Sequence, residues 1–273
     1  MFKSKIENFL IGTDFEMFGK DINGIRSLVP FIEGTKTNPL SIGNGCHQQL
    51  DNILYEANTP PVNNRKDFLD YIKYCIDSGN KLLKDFALKL YASSSEVIDP
   101  LQLNSKSART FGCEPSQCAY EDDFEVNRNT SLRTAGFHIH IGFKSGVDTL
   151  DEIKRLMVIM DSNISLPGIF IDPDRVRRRM YGRAGEFRVA DRGEYTVVEY
   201  RAIGSFFLRN PQLIGWVYDQ TIQSIKDFNA GVDFTPDERL MIQQAINNYD
   251  TKLVQDTFNI TFVNGQPKIN QNV

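Results

Sequence analysis

Polar and apolar positions alternate along Phe9-Leu-Ile-Gly-Thr-Asp-Phe-Glu-Met-Phe18. Ile11, Thr13, Phe15 and Met17 fall on one side, and Gly12, Asp14, Glu16 and Phe18 on the other. A period of two sends successive side chains to opposite faces, so the segment predicts a strand with one mixed polar face. Asn52–Asn58 repeats the pattern, with Asn52, Leu54, Glu56 and Asn58 opposing Ile53, Tyr55 and Ala57. Ala135–Phe143 alternates clearly, and Glu186–Ala190 and Tyr195–Arg201 predict two more strands flanking Asp191-Arg-Gly-Glu194.

Elsewhere the period changes to that of a helix. Phe68, Leu69, Ile72, Ile76, Leu82, Leu83, Phe86 and Leu90 form a stripe that predicts a helix over Arg65–Leu90, kinked at Asp77–Asn80. Thr149-Leu-Asp-Glu152 is a capping box that opens a helix to about Met160. Asn210-Pro211 and Thr235-Pro236 start two others, each with proline at the first helical position. Residues 91–130 are irregular and predict strands and long loops, and the polar tail after Asn264 is expected to fray. Strands and helices mix without a strict βαβ period. The expected class is α+β: a largely antiparallel sheet with helices on one face.

Composition narrows the function classes. The chain has 273 residues, no repeat and no dividing linker, so it is read as a single domain over 1–273 with a polar tail from about 265. A net charge of −4 argues against a general nucleic-acid or anionic-membrane binder. Met1-Phe-Lys-Ser-Lys lacks the apolar run of a signal peptide, so no secretory segment is expected; no apolar run reaches membrane length, and the four cysteines form no CxxC. A reducing cytoplasm with free thiols is expected.

The informative feature is a two-residue spacing of ionisable groups on several predicted strands. Asp14 and Glu16 share a face, as do His138 and His140, and Glu199 and Arg201; Glu56 lies on a fourth segment. Each pair alone has an ordinary explanation: a solvated Asp-x-Glu face, a structural histidine pair, a same-face ion pair. Together they put three acids, two imidazoles and a guanidinium on one wall. Carboxylates gather in a cleft only with positive charge among them, and divalent cations supply it. Oxygen-rich ligation with one or two imidazoles suits Mg²⁺ or Mn²⁺ better than a Zn²⁺ cage.

A second signal is basic. Between 175 and 201 stand eight arginines, no lysine and four acids. Arginine alone, in an otherwise acidic chain, points to bidentate recognition of oxyanions, and the loop Tyr181-Gly-Arg-Ala-Gly185 offers backbone N–H groups to phosphate. A solvated or nucleic-acid-facing surface is the ordinary alternative. Metal acids beside an arginine cluster fit phosphoryl transfer from a nucleotide.

Ile11-Gly-Thr-Asp-Phe-Glu-Met-Phe18, Gly136-Phe-His-Ile-His-Ile-Gly142, the Arg178–Arg188 stretch and Val198-Glu-Tyr-Arg201 occur in that order. With Asp51–Glu56 and Phe111-Gly-Cys-Glu114, they resemble the phage-encoded COOH–NH2 ligases, or amidoligases, of the glutamine synthetase and glutamate–cysteine ligase superfamily. The resemblance spans about residues 9 to 210. It implies a glutamine synthetase-like catalytic fold whose sheet binds ATP and two or three Mg²⁺ or Mn²⁺ ions. Asp14 and Glu16 match the first-strand metal acids, Glu56 a second-strand acid, His138 the metal histidine and Glu199 the late-strand metal glutamate. Arg201 matches the neighbouring phosphate-binding arginine, with Glu199, Arg201 and Arg188 the implied catalytic group. Arg178, Arg183 and Arg188 are candidates for ATP phosphates or a substrate carboxylate. Asp14 departs from the resembled pattern, where many relatives carry Glu. His140 is left open between metal, nucleotide and orientation of His138.

The implied reaction is ATP-dependent carboxylate–amine ligation through an acyl phosphate. Partners would be small-molecule or peptide acids and amines, with no membrane and no nucleic acid except as a modified substrate. A homo-oligomer is compatible with the resemblance, as is a host cytoplasm for a phage-encoded protein. Two readings compete. A metal-dependent hydrolase or nuclease would use the same acids and histidines without a nucleotide, and a non-catalytic RNA- or protein-binding domain would use the arginines alone.

Overall fold

The computed structural model describes residues 4–109, 116–120, 131–144, 147, 149–257, 259–263 and 266–270. Phe111–Glu114 lies outside them. In chain order the strands are β1 (Leu10–Asp21), β2 (Gly24–Arg26), β3 (Leu40–Gly43), β4 (Cys46–Asp51), β5 (Leu54–Asn58), β6 (Lys89–Tyr91) and β7 (Ser95–Val97). Then come β8 (Gln117–Cys118), β9 (Leu132–Thr134), β10 (Phe137–Phe143), β11 (Glu186–Arg192), β12 (Tyr195–Tyr200), β13 (Asn259–Val263) and β14 (Gln266–Asn270). The helices are α1 (Arg65–Leu83), α2 (Lys106–Arg109), α3 (Leu150–Met160), α4 (Leu166–Gly168), α5 (Pro211–Ala230), α6 (Pro236–Asn248) and α7 (Thr251–Thr257).

Strands β3-β4-β5-β1-β10-β12-β11-β8 lie side by side in one sheet, and β2 and β6 pair with β1. Every described pairing is antiparallel. This is the expected α+β class. The long β1 joins two ladders: residues 10–17 pair with β10 and β5, while residues 18–21 pair with β6 and β2.

Alternation sorts the faces as the sequence requires. Ile11, Phe15, Phe137, Ile139, Ile141, Val198 and Tyr200 are buried in one core with residues of α1, α3 and α5. Phe68 of α1 meets the Phe137 ring at 6.4 Å, and Trp216 of α5 stacks on Phe207 at 5.7 Å. Helix starts follow their caps: Asn64 accepts from Asp67 N–H, Asn210 from Leu213 N–H, and Thr235 closes a full capping box with Glu238. A Cβ on Gly79 would stand 2.7 Å from Leu90, so glycine lets α1, one element over Arg65–Leu83, press against its neighbour.

Several boundaries differ from the sequence-based expectation. The first helix stops at Leu83 and a 3₁₀ turn ends with Ala87 in the left-handed region, so Leu90 belongs to a strand rather than to the helical stripe. Asn52 does not share Glu56's face; it sits at positive φ in the β4–β5 hairpin and hydrogen-bonds to the Ala108 carbonyl and Arg133. The helix expected to end at Met160 continues through a π turn over Asp161–Ser165, whose buried Asp161 accepts from the Tyr200 hydroxyl at 2.6 Å. The tail expected to fray after Asn264 instead supplies β14, which pairs antiparallel with β13. Asn264-Gly265, the dipeptide between them in the sequence, is a strong hairpin signal. Among the described residues no helix is long and apolar enough to cross a membrane.

Candidate metal and anion site

The polar face of the sheet collects side chains by register. Asp14 stands opposite His138 on β10 and Asn58 on β5, and Glu16 stands opposite Glu56. His140 faces Glu199 on β12, and Glu199 faces Arg188 on β11. Directly opposed residues have Cβ atoms about 4.5–5.5 Å apart, so these charges meet without any loop to guide them. A cavity of about 840 Å³ opens over this face, lined by Asp14, Glu56, His140, Arg188 and Glu199 among others.

Six of the candidate residues form one connected network. His138 Nδ1 lies 2.6 Å from Asp14 Oδ1 and 3.5 Å from Glu199 Oε1, and His140 Nε2 lies 3.5 Å from Asp14 Oδ2. Arg188 donates to Glu199 Oε2 from Nε at 2.8 Å and Nη2 at 2.6 Å. Arg201, just beyond β12, holds Glu199 Oε1 at 3.1 Å, donates to Ser116 Oγ at 2.8 Å, and lies over the Tyr181 ring at 4.9 Å. On the other ring nitrogen, His138 Nε2 is 3.4 Å from the Tyr181 hydroxyl.

Two ligand groups emerge rather than one. Asp14, His140 and Glu199 each offer a donor atom, all within 4.8 Å of one another, and so do Glu16, Asp51 and Glu56. Asp51 was not singled out in the sequence. Its signal was there: His47, Gln49 and Asp51 repeat the same-face spacing along β4. Lys36 is the nearby cation, with Nζ 3.0 Å from Asp51 and 4.0 Å from Glu56. It comes from a loop, where no periodicity marks it.

The donor set fits divalent cations. Among the described residues, Glu56 Oε2, His140 Nε2 and Glu199 Oε1 are buried without a well-aligned hydrogen-bond partner, although charged groups lie close. Buried polar atoms are rarely left so, and three of them at two acid groups are what ligand atoms look like. The electrostatics separate the groups. Burial alone would raise the Asp14 carboxyl, but His138 and His140 overcome it and hold Asp14 well below its usual range. Burial, with Asp51 and Glu56 beside it, drives Glu16 well above. Burial and the nearby Asp14 charge push Glu56 up to about 8.

This asymmetry sets a pH prediction. The stability Glu56 contributes is fully present below its unfolded value near 4.5 and is lost as pH rises through about 8. Without divalent ions the unfolding midpoint should fall from pH 6 to 9. A bound cation prefers the carboxylate, so millimolar Mg²⁺ should raise the midpoint, and more so at pH 9. At a hundredfold excess over Kd the gain is about 2.7 kcal/mol. A Mg²⁺ effect equal at both pH values would remove Glu56 from the ligands.

Gly136 is the packing key of this region. Its N–H donates to Glu16 Oε2 at 2.7 Å, and a Cβ there would lie 2.2 Å from His138 Nε2. Gly136→Ala must therefore displace an imidazole already tied to Asp14 and Tyr181. An expected cost of about 1–3 kcal/mol in stability should come with a lost His138–Asp14 contact, visible in the imidazole NMR signals. An unmoved His138 signal would contradict this.

The arginine stretch divides. Arg188 and Arg201 reach the acid network, and Arg192 lines the cavity rim. Arg177 is buried and donates to the carbonyls of Ala202 and Arg201, which makes it a structural clamp. Arg178 lies among Arg177, Asp172, Tyr200 and Asp161, and burial lowers its guanidinium. Arg183 precedes β11 in the loop closed by Gly182 and Gly185, both at positive φ.

No protein-family model matches the chain, and no curated protein sequence matches it. One solved structure, described as a novel glutamine synthase homolog, aligns with 91% of this chain at 13% identity and a TM-score of 0.41. The alignment covers 62% of that structure's chain, so this chain spans less than two thirds of its length.

Proposed function

We propose that the protein is an ATP-dependent carboxylate–amine ligase. One observation carries the reading: two carboxylate-rich ligand groups share a cleft with guanidiniums fixed on Glu199. The motif order described above agrees with it. Asp14, His140 and Glu199 would hold one divalent ion, and Glu16, Asp51 and Glu56 another. Such ions would act as Lewis acids and as a template for phosphates.

The chain's own groups do the positioning. His138 orients Asp14 through Nδ1, while Tyr181 fixes the far side of the ring. Arg188 and Arg201 aim Glu199, and the Arg188 guanidinium, about one third exposed at the cavity wall, would bring positive charge to phosphate oxygens. In the first step a substrate carboxylate oxygen bonds to the γ-phosphorus as the bond to ADP breaks. In the second, the amine nitrogen bonds to the acyl carbon, phosphate leaves with the C–O pair, and the amine proton passes to water.

The test is mass-spectrometric. Acid–amine pairs with ATP and Mg²⁺ should yield a product lighter than its summed inputs by one water, with one ADP per product. Phosphate-ester or nucleic-acid cleavage without ADP would instead establish a hydrolase. RNA or protein binding unaffected by Asp14→Ala would establish a docking domain.

A further inference from the structure

Beside the acid network lies a second, smaller cavity of about 270 Å³. It shares His140, Arg192 and Val197 with the main cleft, so the two adjoin. Its floor is made by Gly12 and Gly142, at sheet positions where any other residue would project a side chain into the space. A Cβ on Gly142 would stand 3.7 Å from both Tyr195 and Val197, and one on Gly12 would stand 3.6 Å from Pro61. These are ordinary contacts. Neither glycine is required by its backbone conformation, so their effect is to leave the annex empty.

Chemistry selects the occupant. Drug-sized ligands fill about 300–1,000 Å³, so this annex suits one side chain. Pro61, Val197 and the Tyr195 ring make its wall apolar. A purine needs hydrogen-bond partners along its edge. Here Pro61 has no N–H, and the Thr59 hydroxyl is already bonded to the backbone of Thr13. The charged group at the shared mouth is the exposed Arg192, which suits a carboxylate.

The geometry points to an apolar α-amino acid as the amine substrate, with its side chain over Gly12 and Gly142, its carboxylate on Arg192 and its amine toward His140. This rests on the ligase reading above. The amine nitrogen forms the C–N bond as phosphate leaves, as already described.

The test combines binding with turnover on the full chain. Equilibrium titration with leucine, phenylalanine, glycine and adenosine in Mg²⁺ should show leucine or phenylalanine binding about 10–100-fold tighter than glycine. Gly142→Val should erase that preference, and the milder Gly142→Ala should reduce it if the valine variant does not fold. Arg192→Gln should weaken both amino acids and glycine alike. ATP-dependent product formation across the same amines should follow the same order. Tight leucine binding without any ADP release would sink the ligase reading but sustain the annex. Equal binding of leucine and glycine would overturn the annex assignment even if ligation occurs. So would adenosine binding that Gly142→Val abolishes.

Discussion

Glu199→Gln is expected to cut Mg²⁺-dependent, amine-coupled ADP release by about 10²–10³-fold, the range for losing one preorganised electrostatic group. The substitution keeps the volume of the side chain and removes only its charge. Glu199 loses its claim on a cation, and Arg188 and Arg201 lose the anion that aims them. Folding should survive. Arg188 is about one third exposed and can turn to water, while Arg201 keeps Ser116 and the Tyr181 face. A cost of about 1–3 kcal/mol corresponds to a midpoint drop on the order of 10 °C or less. Steady-state ADP release and thermal unfolding on the same preparation check both halves. Retained turnover would refute the placement of Glu199 at the reacting centre.

Arg201→Lys should be almost as severe, about 10²-fold in kcat/KM, because a point charge replaces a planar fork. Arg201 Nε pairs by charge with Glu199 Oε1 at 3.1 Å while Nη1 donates to Ser116, and its plane lies over Tyr181. A lysine ammonium can satisfy one of these partners but not all three. The substituted protein should keep its Mg²⁺-induced stabilisation, since Arg201 is not a ligand. If kcat/KM stays within threefold, Arg201 is a structural ion pair and nothing more.

Much of this site was legible because it lies on strands. A two-residue period converts directly into a shared face, so Asp14 with Glu16, and His138 with His140, followed from spacing alone. Pairing was not legible. Which strands adjoin decides that Asp14, His140 and Glu199 bring donor atoms together, while His138 lies between Asp14 and the Tyr181 hydroxyl. Asp51 was missed because β4 is short and its polar residues are mostly uncharged. Lys36 and Tyr181 sit in loops, whose placement depends on long-range contacts. The arginine stretch looked like one functional block because composition ignores direction. Arg177 turns inward and Arg178 lies beside Asp161 and Tyr200, whereas Arg188 and Arg192 line the cleft and Arg201 reaches Glu199.

The helix end at Leu83 has a similar cause. Apolar residues continue at helical spacing to Leu90, yet a left-handed residue at Ala87 breaks the run and sends Leu90 into the ladder with β1. Burial of Leu90 is satisfied by either conformation, so hydrophobic pattern could not choose.

The molecule's lone tryptophan has a practical use. Trp216 stacks on Phe207 on the helical side of the sheet, away from the acids and guanidiniums. Indole emission should therefore stay constant while cations or amino acids enter the cleft and change only when the core opens. Every variant proposed above thus carries a built-in optical control that tells a damaged fold from a disabled site in a single cuvette.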